Sequence, residues 1–450
     1  MKKIIIQFGG TGDLARLKLI PAYHELYLEK YDFEIIALGR RYETKEEYLK
    51  DITDITDKDF LKKIHYIHYD MKNPNDNENL IAKLNTLAKD TDQVEILYYL
   101  ALLPQLYESA ISNIKEIDKK LDCKLFKKII VEKPFGFDIE SAKKYNSILN
   151  KEFKDEQIYR VDHYLGKEFV QNLLVMRFYN DVIQGIWNKN FIEHIQIILN
   201  ETAGVDQRLG FYEDIGVVRD MVQNHILQIV THLVMNEPAS FTQQEISQEK
   251  IKVLKSIRKI SKEDFVVSKY KGLGKNSGKN INTPTFTALK LHVDTFDFAG
   301  VPIYIKTGKK QRCKCSTIYI KFRNFKTKRE RQENLEDNAM IITMQPEMNI
   351  DLTLNIKKPE HSWDAHPIKL NFNHADTFKG NTPEAYHQII ERILNNDKTL
   401  FPCAGEIEES WKIVEPLLKK SEKKLTMYSE GSMPKEAKNL IEKDSRKWFI

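Results

Sequence analysis

Short apolar runs alternate with amphipathic stretches along the first 160 residues of the chain. The runs are 4–8 residues long and rich in Ile, Val, Leu and Tyr, which is typical of buried strands, and apolar residues between them recur at helical spacing. The predicted strands are Lys3–Phe8, Phe33–Leu38, Ile64–Tyr69, Val94–Leu100, Lys128–Val131 and Gln157–Val161, and the predicted helices are Asp13–Glu29, Thr44–Ile52, Glu78–Lys89, Gln105–Lys120 and Ile139–Asn150. Strands separated by such helices predict right-handed crossovers and a mainly parallel sheet.

Beyond about residue 160, several strands follow one another along the chain. The predicted elements are strands Ile192–Leu199, Thr285–Val293, Val301–Lys306, Thr317–Phe322 and Ile350–Ile356, and helices Tyr212–Val234, Glu384–Leu394 and Glu406–Lys419. Lys269–Asn280 and Lys326–Asp337 are predicted to be solvated connectors. The pattern predicts a Rossmann-like α/β domain over 1–161, followed by an α+β domain over 162–450 with a large, mainly antiparallel sheet.

Composition narrows the class of protein. The 450 residues include 70 basic and 65 acidic side chains, so the net charge is +5, and without a clustered basic stripe no nucleic-acid partner is expected. A hydrophobic content of 41% permits large cores, and no apolar run is long enough to span a membrane. Two of the four cysteines are isolated and two form Cys-x-Cys, which suggests a reduced, cytoplasmic protein with no predicted metal site.

A glycine-rich turn joins the first predicted strand to the first predicted helix. It has the spacing G-x-x-G-x-x-A and consists of Gly9, Gly10, Thr11, Gly12, Asp13, Leu14 and Ala15. Gly9 permits a tight turn, Gly12 lets the backbone approach a pyrophosphate, and Ala15 lets the helix pack on the strand. A purely structural turn stays open, because any tight turn uses glycine, but its place between strand and helix favours a dinucleotide site.

The end of the second predicted strand bears on the choice of dinucleotide. An NAD site usually has Asp or Glu there to bind the ribose hydroxyls, whereas this chain has Arg40 and Arg41. Arginine suits a 2′-phosphate, through bidentate hydrogen bonds or stacking on adenine. Two solvated loop arginines are the alternative interpretation. The pattern favours NADP and leaves NAD open.

Longer motifs follow further along the chain. EKPFG occupies 132–136, DHYLGK 162–167, ETAGV 201–205, DMVQNH 220–225 and GVPIYIKTGK 300–309. With these motifs, in this order and over most of its length, the chain resembles the glucose-6-phosphate dehydrogenase family. The resemblance implies oxidation of β-D-glucose 6-phosphate to the 6-phospho-lactone with reduction of NADP. It also implies that the large sheet of the second domain forms the subunit interface of a homodimer or homotetramer.

The same resemblance makes His225 the base that takes the C1 hydroxyl proton, since a neutral imidazole has a pKa near operating pH. Asp162 would then hold the imidazole tautomer and stabilise the imidazolium. Spacing alone favours a core histidine, because His225 falls on an apolar helical stripe. A geometric conflict also arises. Asp220 and His225 are five residues apart and point about 140° apart on a straight α-helix, so a bent helix or a ligand lying across it is required.

Other contacts are implied by the resemblance residue by residue. The implied phosphate contacts are His163, Tyr164 and Lys167; the sugar contacts are Glu201, Asp220, Lys309, Lys314 and Lys18; Tyr107 is a cofactor contact, and Lys133 bridges substrate and cofactor. The proline after Lys133 can be cis in this family. Taken singly, each lysine is more typical of a solvated surface charge.

The chain also departs from the family pattern. Leu103-Pro104 replaces a frequent Pro-Pro, Phe298 replaces a tryptophan, and the connectors of the second domain are shorter. These changes leave loop geometry and oligomer contacts open. A related hexose-phosphate dehydrogenase with dual use of NAD and NADP is an alternative. An inactive homologue acting as a nucleotide-binding scaffold would have lost His225, Asp162 or the turn glycines, and all are present.

Overall fold

The structure is a computed structural model that describes the chain except residues 90, 122, 206–208, 276–277, 279–280, 325–334, 346, 360–364, 379–383 and 422–424. Its contacts divide it into two compact units. The first unit comprises Met1–Glu168, Ser240–Ser247 and Pro383–Glu408, and the second comprises Phe169–Ala239, Gln248–Thr382 and Glu409–Ile450. Parts of the predicted connectors Lys269–Asn280 and Lys326–Asp337 lie outside the described residues.

The first unit contains a parallel sheet of six strands. These are β1 (Lys2–Phe8), β2 (Glu34–Gly39), β3 (Ile64–His68), β4 (Gln93–Leu100), β5 (Lys124–Glu132) and β6 (Ile158–Val161). Their order is β3-β2-β1-β4-β5-β6 and every pairing is parallel, which confirms the predicted Rossmann-like class. The strand order reverses between β1 and β4, and in such sheets ligands bind beyond the carboxyl ends of the strands at this point.

The second unit contains a mixed, mostly antiparallel sheet of nine strands. These are β7 (Ile192–Asn200), β8 (Phe265–Tyr270), β9 (Phe286–His292), β10 (Pro302–Gly308), β11 (Cys315–Phe322), β12 (Ala339–Gln345), β13 (Asn349–Lys357), β14 (Ala365–Asn373) and β15 (Thr426–Tyr428). Their order is β14-β13-β12-β11-β7-β10-β9-β8-β15, with only β7–β10 and β8–β15 parallel. The predicted class is therefore confirmed. The strands β8, β12, β14 and β15 were not among the predicted ones. β14 carries Pro367, which an edge strand tolerates.

The helices of the first unit follow the predicted pattern with α3 in addition, and the second unit also contains helices that were not predicted. The α-helices are α1 (Ile20–Leu28), α2 (Lys45–Ile52), α3 (Lys58–Lys62), α4 (Pro74–Ala88), α5 (Tyr107–Lys119), α6 (Ile139–Asn150), α7 (Glu168–Phe178), α8 (Asp181–Ile186), α9 (Leu209–Val217), α10 (Leu227–Val234), α11 (Gln243–Lys255), α12 (His374–Phe378), α13 (Ala385–Leu394), α14 (Ala404–Ser421) and α15 (Lys435–Glu442). Two π-helical segments, Ala15–Leu19 and Val218–Ile226, directly precede α1 and α10. In the described parts of the chain, no helix is both long and apolar enough to cross a membrane.

Helix α13 belongs to the first unit although it lies late in the sequence. The Nζ atoms of Lys3 and Lys128 donate to the carbonyls of Leu394 and Ile393, each at 2.7 Å, and so satisfy carbonyls at the end of the helix. The sequence-based division at residue 161 follows the chain without interruption, and it assigned this helix to the second domain. The difference arises because an amphipathic pattern shows that a helix face is buried and does not show which element buries it.

Candidate active site

The glycine-rich turn lies at the carboxyl end of β1 and is closely packed. Gly9 has a φ of +76°, and a Cβ there would lie 2.4 Å from the carbonyl oxygen of Ala101. At Gly10 a Cβ would lie 2.9 Å from the Cβ of Ala37. At Gly12 the nearest contact would be an ordinary 3.4 Å, so packing within the chain does not require glycine at that position. The turn thus leaves exposed backbone at the point where the strand order reverses.

Two arginines follow β2 on the same edge of the sheet. Arg40 lies 3.8 Å from Asp70 and Arg41 lies 3.7 Å from Asp51, and both arginine side chains are about two-thirds exposed, at 68% and 67%. Exposed ion pairs of this kind stabilise a protein by about 0–1 kcal/mol. Either guanidinium can therefore exchange its carboxylate for a phosphate at little cost.

Other predicted cofactor and substrate contacts of the first unit have partners within that unit. Lys18 forms an ion pair with Glu384 at 3.1 Å, and Asp13 lies 3.9 Å from Arg16. Tyr107 is buried, and its hydroxyl donates to the backbone carbonyl of Glu132 at 3.2 Å. Thr11 and Leu14 lie in the turn itself, where Thr11 packs against Gly39 at the end of β2.

The EKPFG and DHYLGK motifs meet at the carboxyl edge of the parallel sheet. Glu132 ends β5 and pairs in register with Val161, the last residue of β6, so Lys133 and Asp162 follow neighbouring strand ends. The peptide bond between Lys133 and Pro134 is cis. Asp162 is buried, and one of its carboxylate oxygens accepts the backbone N–H of Tyr164 at 3.0 Å.

The predicted phosphate-binding side chains gather in the turn after β6. The ammonium of Lys167 lies 3.6 Å from the ring centroid of Tyr164. His163 stacks on Tyr386 of α13, with ring centroids 6.2 Å apart and ring planes 10° apart. Gly166 sits against the same helix, where a Cβ would lie 2.6 Å from the carbonyl oxygen of Ala385. The first unit therefore holds an imidazole and an ammonium together on one turn.

Sequence reasoning missed a buried carboxyl beside this turn. Glu132 is only 8% exposed and accepts hydrogen bonds from the hydroxyls of Tyr99 at 2.5 Å and Tyr386 at 3.4 Å. Burial raises the pKa of Glu132 to about 7, against the opposing effect of the two hydroxyls and of Lys133. Glu132 lies in a motif that was visible in the sequence, but Tyr386 lies more than 250 residues away, and no local signal connects the two.

The second unit contributes two carboxylates and a lysine. β7 and β10 are parallel neighbours with Asn200 opposite Gly308, so Glu201 and Lys309 follow adjacent strand ends. The ammonium of Lys309 contacts the carboxylate of Glu201 and lies 3.1 Å from that of Asp220. Burial lowers the pKa of Lys309, but the two carboxylates outweigh it and the net pKa is raised. The cluster presents an ammonium and two carboxylates on fixed elements.

A π-helix settles the geometric conflict between Asp220 and His225. Helix α9 is interrupted by Gly216, whose φ of +63° is not helical, and Val218–Ile226 then forms π-helical turns. The predicted continuous helix Tyr212–Val234 was therefore wrong. Because π-helical hydrogen bonds join residues five apart, Asp220 and His225 lie one turn above each other on one face. His225 is buried, at 1% exposure, whereas Asp220 reaches Lys309.

Lys314 lies five residues beyond Lys309 in the chain. It is exposed and stands between Cys313 and Cys315, in the connection that leads from β10 into β11. The backbone of the same connection is tied to the end of β7, since the N–H of Gln311 donates to the carbonyl of Glu201 at 2.9 Å. Lys309 and Lys314 thus share one anchored segment.

The first unit has the fold and the glycine-rich turn after the first strand that are typical of dinucleotide-binding oxidoreductases, and the second carries polar groups suited to a hydroxylated substrate. Two family models match the chain: the NAD-binding domain of glucose-6-phosphate dehydrogenase over residues 5–172 and its C-terminal domain over residues 174–449. The chain belongs to the glucose-6-phosphate dehydrogenase family.

Similar proteins span the whole chain. It is 36% identical to glucose-6-phosphate 1-dehydrogenases of Borreliella burgdorferi, over 98% of this chain and 97% of that one, and of Bacillus subtilis, over 100% and 98%. A solved glucose-6-phosphate dehydrogenase in complex with its substrate glucose-6-phosphate matches with a TM-score of 0.92 at 29% identity, covering 99% of this chain and 98% of that one. The corresponding enzyme of Mycobacterium avium matches with a TM-score of 0.84 at 27% identity, over 100% and 99%.

Proposed function

We propose that this protein oxidises β-D-glucose 6-phosphate at C1 to 6-phospho-D-glucono-1,5-lactone, with hydride transfer to NADP⁺, the first step of the oxidative pentose phosphate pathway. The observation that carries the proposal is the π-helical face shared by Asp220 and His225, with Asp220 bound to Lys309. This shared face brings together a buried imidazole and groups that can bind sugar hydroxyls. The relative solved with glucose-6-phosphate supports the choice of substrate.

In this proposal His225 takes the proton of the C1 hydroxyl as the hydride leaves C1. Its burial keeps water from competing for the imidazole. Asp162, also buried, is the carboxylate that orients the base and stabilises the imidazolium. Glu201, Asp220 and Lys309 bind the sugar hydroxyls, and the shared ammonium holds the two carboxylates in place before the sugar arrives.

His163, Tyr164 and Lys167 bind the 6-phosphate. A phosphate dianion is a better partner for the Lys167 ammonium than the ring of Tyr164, on which it rests in this structure. The stack on Tyr386 limits the rotation of the His163 ring, so the imidazole is held ready to donate. Lys133, Lys18 and Lys314 are further cationic contacts for substrate or cofactor.

The turn residues fit a dinucleotide. Gly12 has space around it that packing does not explain, and the N–H groups of Thr11, Asp13 and Leu14 lie at the start of a helical segment. The N–H of Gly10 donates to the carbonyl of Leu38 at 2.8 Å and so helps to shape the turn. Arg40 and Arg41 would bind a 2′-phosphate, which favours NADP, and Tyr107 would stand beneath the cofactor. When bound, the nicotinamide accepts the hydride. A hexose-phosphate dehydrogenase that uses both NAD and NADP is the second candidate, because Arg40 and Arg41 are exposed and form only weak surface ion pairs.

The expected assembly is a homodimer or homotetramer through the large sheet, with neither nucleic acid nor membrane as partner. The cysteine pattern, two isolated residues and one Cys-x-Cys, supports a cytoplasmic location. The assembly is expected from the family resemblance, and the location and partners are expected from the composition of the chain.

The test is reduction of NADP or NAD, followed by near-ultraviolet absorbance with glucose 6-phosphate and with other hexose phosphates. We expect fast reduction of NADP with glucose 6-phosphate and a loss of turnover of about two orders of magnitude or more in His225→Asn, with substrate binding largely kept. His366→Asn, an exposed histidine of β14, is the matched control. Folded protein that reduces neither cofactor, or a mild effect of His225→Asn, would contradict the proposal.

A further inference from the structure

Cys313 and Cys315 form a close pair where the chain enters β11. Their Sγ atoms lie 2.8 Å apart, closer than unbonded sulfur atoms normally approach and longer than the ~2.05 Å of a disulfide. Residues two apart on a strand face the same side, and a bend at 312–313 turns Cys313 back toward Cys315. A small closing movement is therefore enough to bond the two sulfurs.

A buried lysine lies beside the pair of cysteines. The ammonium of Lys306, almost fully buried on β10, is close enough to both sulfurs for each to act on its pKa. Burial lowers the pKa of Lys306 to about 8, against the opposing effect of the two cysteines, so the group still carries charge at neutral pH. A neighbouring cation stabilises a thiolate and opposes the binding of a metal ion between the sulfurs.

The two thiols have different accessibility. Cys313 is half-buried, whereas Cys315 is buried, and burial raises the pKa of its thiol to about 12. Cys313 is therefore the thiol that a dissolved oxidant reaches first, and Cys315 is placed to resolve the product.

A bond between the two sulfurs would act on Lys314, which lies between them. The connection is anchored before the pair, where the N–H of Gln311 donates to the carbonyl of Glu201 at 2.9 Å. It is anchored again at Cys315, which pairs with Asn200 of β7. Residues 312–314 must therefore change conformation when the disulfide forms. Lys314 moves with them, whereas Lys309, which precedes the first anchor, keeps its position.

We propose that Cys313 and Cys315 are a thiol modification site, oxidised to an intramolecular disulfide by a low-molecular-weight disulfide of the glutathione class. The Cys313 thiolate attacks one sulfur of the oxidant, whose S–S bond breaks and releases a first thiolate. Cys315 then loses its proton to solvent and attacks the Cys313 sulfur, which expels a second thiolate. The protein gives up two electrons and two protons, and the oxidant becomes two thiols.

The effect of the disulfide rests on the proposed function, because Lys314 is proposed to contact the sugar phosphate. Displacing it removes one charge-assisted contact, worth about tenfold in affinity. The disulfide should therefore raise KM for glucose 6-phosphate about tenfold with a smaller change in kcat. Reduction by dithiothreitol should restore the original KM.

The experiment treats the full-length protein with glutathione disulfide, alkylates the remaining thiols and maps the peptides by mass spectrometry. We expect a cross-link between Cys313 and Cys315, with Cys123 and Cys403 still alkylated. Cys313→Ser and Cys315→Ser should abolish the cross-link, and Cys123→Ser should not. The Lys314→Met variant should already have the raised KM in its reduced form, and oxidation should not raise this KM further.

Two results would overturn the inference. Alkylation of all four cysteines, or a glutathione adduct on Cys313 that Cys315 never displaces, would exclude the disulfide. A complete disulfide with an unchanged KM would exclude the role assigned to Lys314. Reduced protein that does not oxidise glucose 6-phosphate would instead contradict the proposed function, and the mass measurement would still decide whether the disulfide forms.

Discussion

Replacing the buried carboxyl of Glu132 with an amide should make the stability of the protein less dependent on pH. Burial raises the pKa of this group from its usual 4.5 to about 7, and Asp162 adds to the increase. Between these two pH values the folded protein holds a proton that the unfolded chain has lost. The stability contributed by Glu132 is therefore fully present below about pH 4.5, falls as the pH rises and stays low above about pH 7.

The size of the effect follows from the same two values. At about 1.4 kcal/mol for each pH unit between 4.5 and 7, ionisation of Glu132 costs the folded protein about 3 kcal/mol at pH 8. Glutamine has the shape of the neutral acid, accepts a hydrogen bond from Tyr99 or Tyr386 and does not ionise. Glu132→Gln should therefore match the wild type near pH 4.5 and exceed it by up to about 3 kcal/mol at pH 8.

Urea unfolding of both proteins across pH 5–8 measures this difference. Glu95→Gln is the contrasting control, since Glu95 is also buried but lies 2.7 Å from the ammonium of Lys128. Removing its charge leaves a buried lysine without its carboxylate, so this variant should be less stable than the wild type at neutral pH. A constant offset between Glu132→Gln and the wild type from pH 5 to pH 8 would refute the reasoning.

Three further substitutions test the proposed contacts. Lys167→Ala should raise KM for glucose 6-phosphate about tenfold or more and spare the slow oxidation of unphosphorylated glucose; equal losses on both sugars would argue against a phosphate contact. Arg40→Ala should raise KM for NADP more than for NAD, and an unchanged ratio would transfer the 2′-phosphate contact to Arg41 or Thr11. Lys309→Met should destabilise the protein by about 1–3 kcal/mol at pH 7, because it leaves the neighbouring carboxylates of Glu201 and Asp220 without their shared ammonium; a free energy of unfolding in urea equal to that of the wild type would contradict this pairing.

Much of the fold could be predicted because its signals are local. A buried strand such as β4 is a short apolar run, and the turn after β1 needs glycine where the backbone meets Ala101, so both are visible in a few consecutive residues. The motifs around His225 and Lys167 are local in the same way. Their agreement with one family let the resemblance name candidate residues that spacing alone would have assigned to the core or the surface.

The departures from prediction involve contacts that no local pattern records. A helical repeat of apolar residues fits both an α-helix and the π-helical turns of Val218–Ile226. The additional residue in each π-helical turn, relative to an α-helical turn, shifts the buried face of the helix only gradually. Without those turns Asp220 and His225 would point apart. Gly216, whose positive φ interrupts α9, was inside the predicted helix, and an isolated glycine is compatible with a continuous or an interrupted helix.

The sequence by itself determined the class of each domain, the glycine-rich turn after β1 and the choice of most candidate residues, since these depend on side-chain type and short-range spacing. Only the tertiary structure decided which of them meet. It brought Tyr386 onto His163 and Glu132, set Lys309 between Glu201 and Asp220, and placed Lys306 beside the paired cysteines. Such contacts arise from the packing of elements that are far apart in the chain. Burial and charge pairing between such elements depend on their three-dimensional arrangement and produce no repeating pattern in the sequence.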